Sequence, residues 1–336
     1  MTLAPIFSEN AVFAEGMPIK LFGAGSGKVR AGLCGISREA VFDGGEWELC
    51  LPPMPAGGPY ELFIDLNGEK KVLRGVCIGV VLLFAGQSNI EFTLESSNTP
   101  KSEYVSDPLL RMFFAERAWG TENPFTSAQG WNTAQIETVG KWSAIAYLTG
   151  KYLRESTGKA VGVINCSIGA SVMRSWLPAK EAAIYDIPAE LLHPDHFYAE
   201  FAAFNKPGEI YEKMLRPVAP YRLSGAVWYQ GESNARAGEA RLYPAALKKF
   251  FSVLRAAQDN EDLEIALVQI ADCDARLEWD GEGWLGVQRA QAEFAAADGH
   301  CALVRSGDVC ERDCIHPPTK TLLSQRIAKV FGRYVR

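Results

Sequence analysis

Histidine is scarce in this chain, with four residues in 336. No uninterrupted apolar run reaches the roughly 18 residues that a membrane-spanning helix needs. The most apolar stretch, Val76 to Ala85, has the length of one buried strand. Positive charge is not in excess: the formal net charge is −6, and Lys and Arg are scattered. The densest basic pair, Lys248-Lys249, reads as the solvated face of a helix. A nucleic-acid partner would want a basic face, so neither nucleic acid nor membrane is expected as a partner. The start, Met1-Thr2-Leu3-Ala4-Pro5 and then Ser8-Glu9-Asn10, has no basic, apolar and small-residue leader pattern; the expected location is cytoplasmic. Internal repeats and low-complexity tracts are missing too.

What is present is the balance of an ordinary globular protein, 48% hydrophobic and 22% charged. A chain this long can bury a core without disulfides or metals. Eight cysteines, mostly in strand-like apolar surroundings, read as reduced thiols. Residues 1–75 show short strand-like runs: Ile19-Phe22, Lys28-Leu33, Trp47-Leu51, Tyr60-Asp65 and Lys71-Val76. Gly- and Pro-rich turns separate them, which predicts a small antiparallel β-sandwich. From residue 76 to 336, apolar strands (76–85, 160–166, 225–229, 264–270, 302–304) alternate with amphipathic helices (139–156, 239–257, 284–296, 319–333). That alternation predicts an α/β domain on a parallel sheet. Segments 95–135 and 177–207 read as long excursions of the kind that line binding sites.

In such sheets functional groups gather beyond the C-terminal strand ends. After Ala85 comes Gly86-Gln87-Ser88-Asn89-Ile90-Glu91. Ser88 lands where the sheet opens and suits a nucleophile, with its own N–H available to an oxyanion. Ser88-x-x-Glu91 equally fits a helix capping box. Near the C-terminus, Asp313-Cys314-Ile315-His316-Pro317-Pro318 supplies a Pro-stiffened histidine. His316 suits the base that a serine hydroxyl requires, and Asp313 could fold back to orient its ring. A surface Asp-His turn is the plainer reading. Val227-Trp228-Tyr229 ends in Gln230-Gly231-Glu232-Ser233-Asn234, more polar groups than a turn needs. Gln230 or Asn234 could donate to an oxyanion; Glu232 could bind a sugar hydroxyl or stand in for Asp313. Gly169, after the strand ending at Cys166, can offer an N–H at close approach. Cys310-x-x-x-Cys314-x-His316 is a weaker reading as metal ligands, since zinc sites use tighter paired spacings with four clear ligands; His193-Pro194-Asp195-His196 could bind metal but reads better as a polar loop near the pocket. Trp119, Trp131, Trp176 and Tyr198 lie in the long loops and could stack on sugar rings, though single loop aromatics more often pack locally.

Taken together, Gly86-Gln87-Ser88-Asn89, Trp228-Tyr229-Gln230-Gly231-Glu232-Ser233-Asn234 and Ile315-His316-Pro317-Pro318 resemble the sialate O-acetylesterase family of the SGNH hydrolases. Phe7-Ser8-Glu9-Asn10, Met17-Pro18-Ile19 and Leu51-Pro52-Pro53-Met54-Pro55 extend the likeness over most of the chain. The resemblance implies a flavodoxin-like three-layer α/β/α hydrolase domain behind the β-sandwich. It also implies a cofactor- and metal-free acyl-enzyme mechanism on an O-acetylated carbohydrate. Carried over by position, Ser88 is the nucleophile and His316 the base, while Ser88, Gly169 and Gln230 or Asn234 form the oxyanion hole. Gln87, Glu232 and Trp176 are the expected substrate contacts. Three positions depart from the family: Val80 replaces Asp, Ile168-Gly169-Ala170 replaces Trp-Gly-Gly, and Cys314 sits where an acid often stands. Asp313 matches the wider Asp-x-x-His pattern. An acetylxylan esterase and a non-catalytic sugar-binding protein are the alternatives.

Overall fold

The computed structural model describes residues 1–117, 119 and 130–332. The Asn123-Pro124 part of the expected 95–135 excursion and the last residue of the expected 319–333 helix lie outside them. Strands β1 (Thr2–Leu3), β3 (Ile19–Ala24) and β6 (Glu46–Leu51) form a three-stranded sheet. Strands β4 (Gly27–Leu33), β5 (Ile36–Phe42) and β7 (Gly57–Leu66) pair antiparallel and join the start of β8 (Glu69–Gly86). Alternate residues of β4 and β6, such as Val29, Ala31, Leu33, Trp47, Leu49 and Leu51, are buried, as the period-2 pattern requires.

The expected boundary at residue 75 falls inside β8, which runs on unbroken into the large sheet. There its second half, with β2 (Val12–Ala14) alongside, is buried throughout. The large sheet runs β10 (Asn132–Ala134), β9 (Asp107–Phe114), β11 (Ala160–Ser167), β8, β12 (Gly225–Tyr229), β13 (Ile265–Val268) and β14 (Cys301–Val304). All but β10 are parallel to β8. The result is a mixed α/β fold with a large central sheet. Helices α2 (Ala144–Thr157) and α7 (Thr321–Val330) pack together, as do α5 (Tyr243–Ala257) and α6 (Asp274–Ala297). Among the described residues no helix is long and apolar enough to cross a membrane.

From β8 the chain builds outward first through β9 and β11 on one side, then through β12, β13 and β14 on the other. This reversal opens a crevice at the C-terminal ends of the strands beside β8. The register places them at one level, since Gly86 pairs with both Ser167 and Tyr229. Gly86 adopts φ +146, and a Cβ there would sit 2.1 Å from the Tyr229 carbonyl oxygen. Only glycine lets the chain turn there without parting β8 from β12.

Candidate active site

Ser88 opens the single-turn helix α1 (Ser88–Glu91), with Gln87 as its cap residue. Its hydroxyl does not cap that helix. Instead Ser88 Oγ lies 2.7 Å from His316 Nε2, joining segments 228 residues apart. Among the described residues the Ser88 N–H has no acceptor. Gly169 lies alongside: a Cβ there would meet Ser88 Cβ at 3.5 Å. The Gly169 N–H donates to Glu91 Oε2 at 2.6 Å, while Glu91 Oε1 accepts from Arg117 Nη1 at 2.6 Å. Arg117 is anchored by a bond to the Ser167 carbonyl. The Gly169 donor therefore serves a ligand oxygen only when Glu91 turns aside.

His316 is held among charged groups. Burial lowers its pKa, Lys320 and Arg276 lower it further, and Glu91 opposes them. The Phe92 ring stacks on it at 6.4 Å. Asp313 corrects an expectation: it is exposed, is absent from the charges acting on His316 and makes no bond to it. The turn at 313–316 points that carboxylate to solvent. Among the described residues no protein group bonds His316 Nδ1.

Gln230 and Asn234 are also corrected. Both are fully buried and used up within the protein. Gln230 Nε2 donates to the Ser171 carbonyl at 3.0 Å and to Asn234 Oδ1 at 2.6 Å; its Oε1 accepts from Tyr243. Asn234 Nδ2 donates to Glu239 Oε1, and its Oδ1 also accepts from the Met173 N–H. The 3-10 turn at Glu232–Asn234 folds these amides beneath the crevice. Trp176, a proposed sugar contact, is likewise buried, packed edge-on against Trp228 at 5.2 Å and bonded to Ser171. Trp131 is buried and donates to the Ile6 carbonyl. Trp119 packs on Phe204, and Tyr198 on Phe201.

Gln87 and Glu232 do reach the crevice, a cavity of about 660 Å³ that holds Ser88, Gly169 and His316. Gln87 is chiefly structural, its Oε1 accepting from the Gly231 and Ser233 N–H groups. Glu232 accepts from Asn89 Nδ2 at 2.7 Å, and burial raises its pKa. The 177–207 excursion lines the cavity through His193, Asp195, Glu200, Phe201 and Phe204. Its His193-Pro194-Asp195-His196 run is tied inward, with His196 Nε2 2.7 Å from Glu239 Oε1 and Asp195 accepting from Ser233 Oγ. Among the described residues no group of three or more His, Cys, Asp or Glu is placed to share a metal ion. Sequence reasoning gave no role in the site to Glu91, Asn89, Arg117, Arg276 or Lys320.

A serine and a histidine sharing a hydrogen bond at the strand ends of an α/β sheet, beside a backbone N–H, form the arrangement that a serine nucleophile and its base require. The profile of the carbohydrate esterase, sialic acid-specific acetylesterase family matches residues 79–332, and the chain belongs to that family. It is 25% identical over 313 residues to the sialate O-acetylesterases of Homo sapiens and Pongo abelii. Those alignments cover 84% of this chain and 59% of each relative, so the chain spans about three fifths of their length. A solved carbohydrate acetylesterase from Xanthomonas citri superposes with TM-score 0.83 at 26% identity, covering 99% of this chain and 75% of that one.

Proposed function

We propose that this chain is a serine esterase that removes O-acetyl groups from carbohydrate, with sialic acid or a related acidic sugar as the substrate. The observation that carries the reading is the 2.7 Å contact between Ser88 Oγ and His316 Nε2 beside Gly169. His316 Nε2 takes the hydroxyl proton as Ser88 Oγ attacks the acetyl carbonyl. Negative charge on the tetrahedral oxygen is met by the Ser88 N–H and, once Glu91 yields it, the Gly169 N–H. His316 passes its proton to the departing sugar oxygen, leaving acetyl-Ser88. It then activates water, which releases acetate and restores the serine. Loss of one such donor costs about 10²–10³ in kcat. The mechanism is thus a Ser–His pair, with Glu91 supplying the negative charge that faces the imidazolium, in place of the Asp313 triad.

Arg276 favours an acidic over a neutral sugar. It lines the cavity, forms no ion pair among the described residues, and lies over the Trp279 ring at 5.6 Å. A guanidinium without a carboxylate partner at a pocket wall fits an anionic ligand. The helices on the central sheet are read as the outer layers of a flavodoxin-like α/β/α domain, and strands β1 and β3–β7 with the start of β8 as a supporting β-sandwich.

The test measures acetate release from O-acetylated sialic acid and from acetylated xylan, with wild type and Ser88→Ala. Wild type is expected to prefer the acidic substrate. Ser88→Ala is expected to lose turnover on both while keeping its circular dichroism. Equal acetate release by Ser88→Ala removes the esterase assignment; preference for xylan removes the acidic-sugar reading alone.

A further inference from the structure

Ser88 and His316 exchange a proton only while their two segments stay aligned. Asn89 follows Ser88 directly and is 1% exposed. Its Nδ2 donates to the carbonyl of Ile315, the residue just before His316, at 3.0 Å. The same nitrogen donates to Glu232 Oε1 at 2.7 Å, and Asn89 Oδ1 accepts from Lys320 Nζ at 2.8 Å. One side-chain amide therefore joins the immediate neighbours of both reacting residues.

An amide has two faces of opposite character, and here a flip is forbidden. Turned over, its oxygen would face a carboxylate and a carbonyl, and its NH₂ would face an ammonium. Both guards are deeply placed: Lys320 is fully buried, and Glu232 is 4% exposed. Lys320 Nζ lies over the rings of Phe92 and Tyr229, at 5.1 and 5.9 Å. Burying a lysine and a glutamate is costly, so such a pair calls for a reason beyond packing. In a triad, the acid orients the histidine; among the described residues His316 has no such partner.

We propose that Asn89, locked by Glu232 and Lys320, is the positioning residue that aligns His316 with Ser88. The inference rests on the reading of Ser88 and His316 as the reacting pair. Asn89 touches neither substrate nor the transferred proton; it fixes the distance between the groups that do. Misplacement of reacting groups by about an ångström costs about 10²-fold.

The experiment uses the full chain and p-nitrophenyl acetate. Asn89→Ala is expected to lower kcat by about 10²-fold while KM stays within about twofold of wild type. Because that variant leaves two buried charges without their link, a second one, Asn89→Ala with Glu232→Gln and Lys320→Met, removes both. It is expected to fold, by near-UV circular dichroism, and to show the same loss in kcat. A folded variant of either kind with kcat within about twofold of wild type overturns the proposal, as does a loss confined to KM. Ser88→Ala run in parallel separates the two claims. If it turns over like wild type, the esterase reading falls and the positioning role with it. If it is inactive and the Asn89 variants are not, only the positioning role falls.

Discussion

A histidine that works as a base must be unprotonated when the substrate arrives. In the proposed mechanism His316 meets this through its surroundings: burial first, then the cations of Lys320 and Arg276, against the opposing charge of Glu91. Its pKa therefore lies below the ordinary value near 6.5, and the acid limb of kcat/KM falls below that pH as well. Lys320 is itself strained as a cation, its pKa pushed down to about 8 by burial. Lys320→Met removes a positive charge facing His316, so the imidazolium becomes easier to form. The acid limb of kcat/KM is expected to move to higher pH, and a pH–rate profile with an unmoved limb refutes this account. At this scale Ser88 and His316 were legible because each stands out: a serine straight after a buried strand, and a histidine in a Pro-stiffened turn. Asp313 had the right spacing, but spacing does not say which way a turn faces. Lys320 was invisible because lysines before helices are ordinarily exposed. Glu91 was noticed only as a capping partner, and its bond to Gly169 depends on β11 lying next to β8.

The elements that build the crevice followed from hydrophobic pattern, and those that decorate it did not. The runs 76–85 and 225–229 of the parallel sheet are apolar throughout and fully buried, which marks burial on both faces. By contrast β5 is an edge strand paired only with β4, mostly exposed, and shows no alternation to read. Strand β9 begins Asp107-Pro108, a turn signal that masks the apolar run after it. Helix α6 begins ten residues before the expected 284, because Asp280 breaks the helical backbone and then accepts from the Gly283 N–H, capping the second part. The lining loops are held by contacts distant in sequence, above all Glu239 on α4 (Ala237–Ala240). Its carboxylate accepts from the His193 N–H at 2.6 Å, faces His196 Nε2 and accepts from Asn234 Nδ2. Glu239→Ala strips three buried groups of their partner and is expected to cost about 3–5 kcal/mol. Denaturant unfolding measures this; a loss under about 1 kcal/mol would show that the loop is held elsewhere.

For the whole molecule, the composition shift near residue 75 suggested two units, and the structure shows how closely they are joined. Strand β8 belongs to both, and β2 pairs with its middle, Val12 to Cys77 and Ala14 to Gly79. Tyr221 from the α/β region packs on Phe7 and Phe13 at 5.5 and 5.3 Å and donates to the Val12 carbonyl at 2.7 Å. Trp131 donates to the Ile6 carbonyl, and buried Arg111 to the carbonyls of Asn10 and Gly75. A chain beginning at residue 76 would uncover Tyr221 and Trp131, leave Arg111 without these acceptors and expose an edge of β8. Each large apolar side chain returned to water forfeits about 1.5–3 kcal/mol, against a total stability of about 5–15 kcal/mol. The bare edge adds a template for aggregation. Residues 76–336 alone are therefore expected to be insoluble, or soluble with weak near-UV circular dichroism and no cooperative melt. Recovery of a cooperatively folded fragment with the full kcat of the intact chain would show that the first 75 residues are dispensable to the α/β core, despite the strand they share with it.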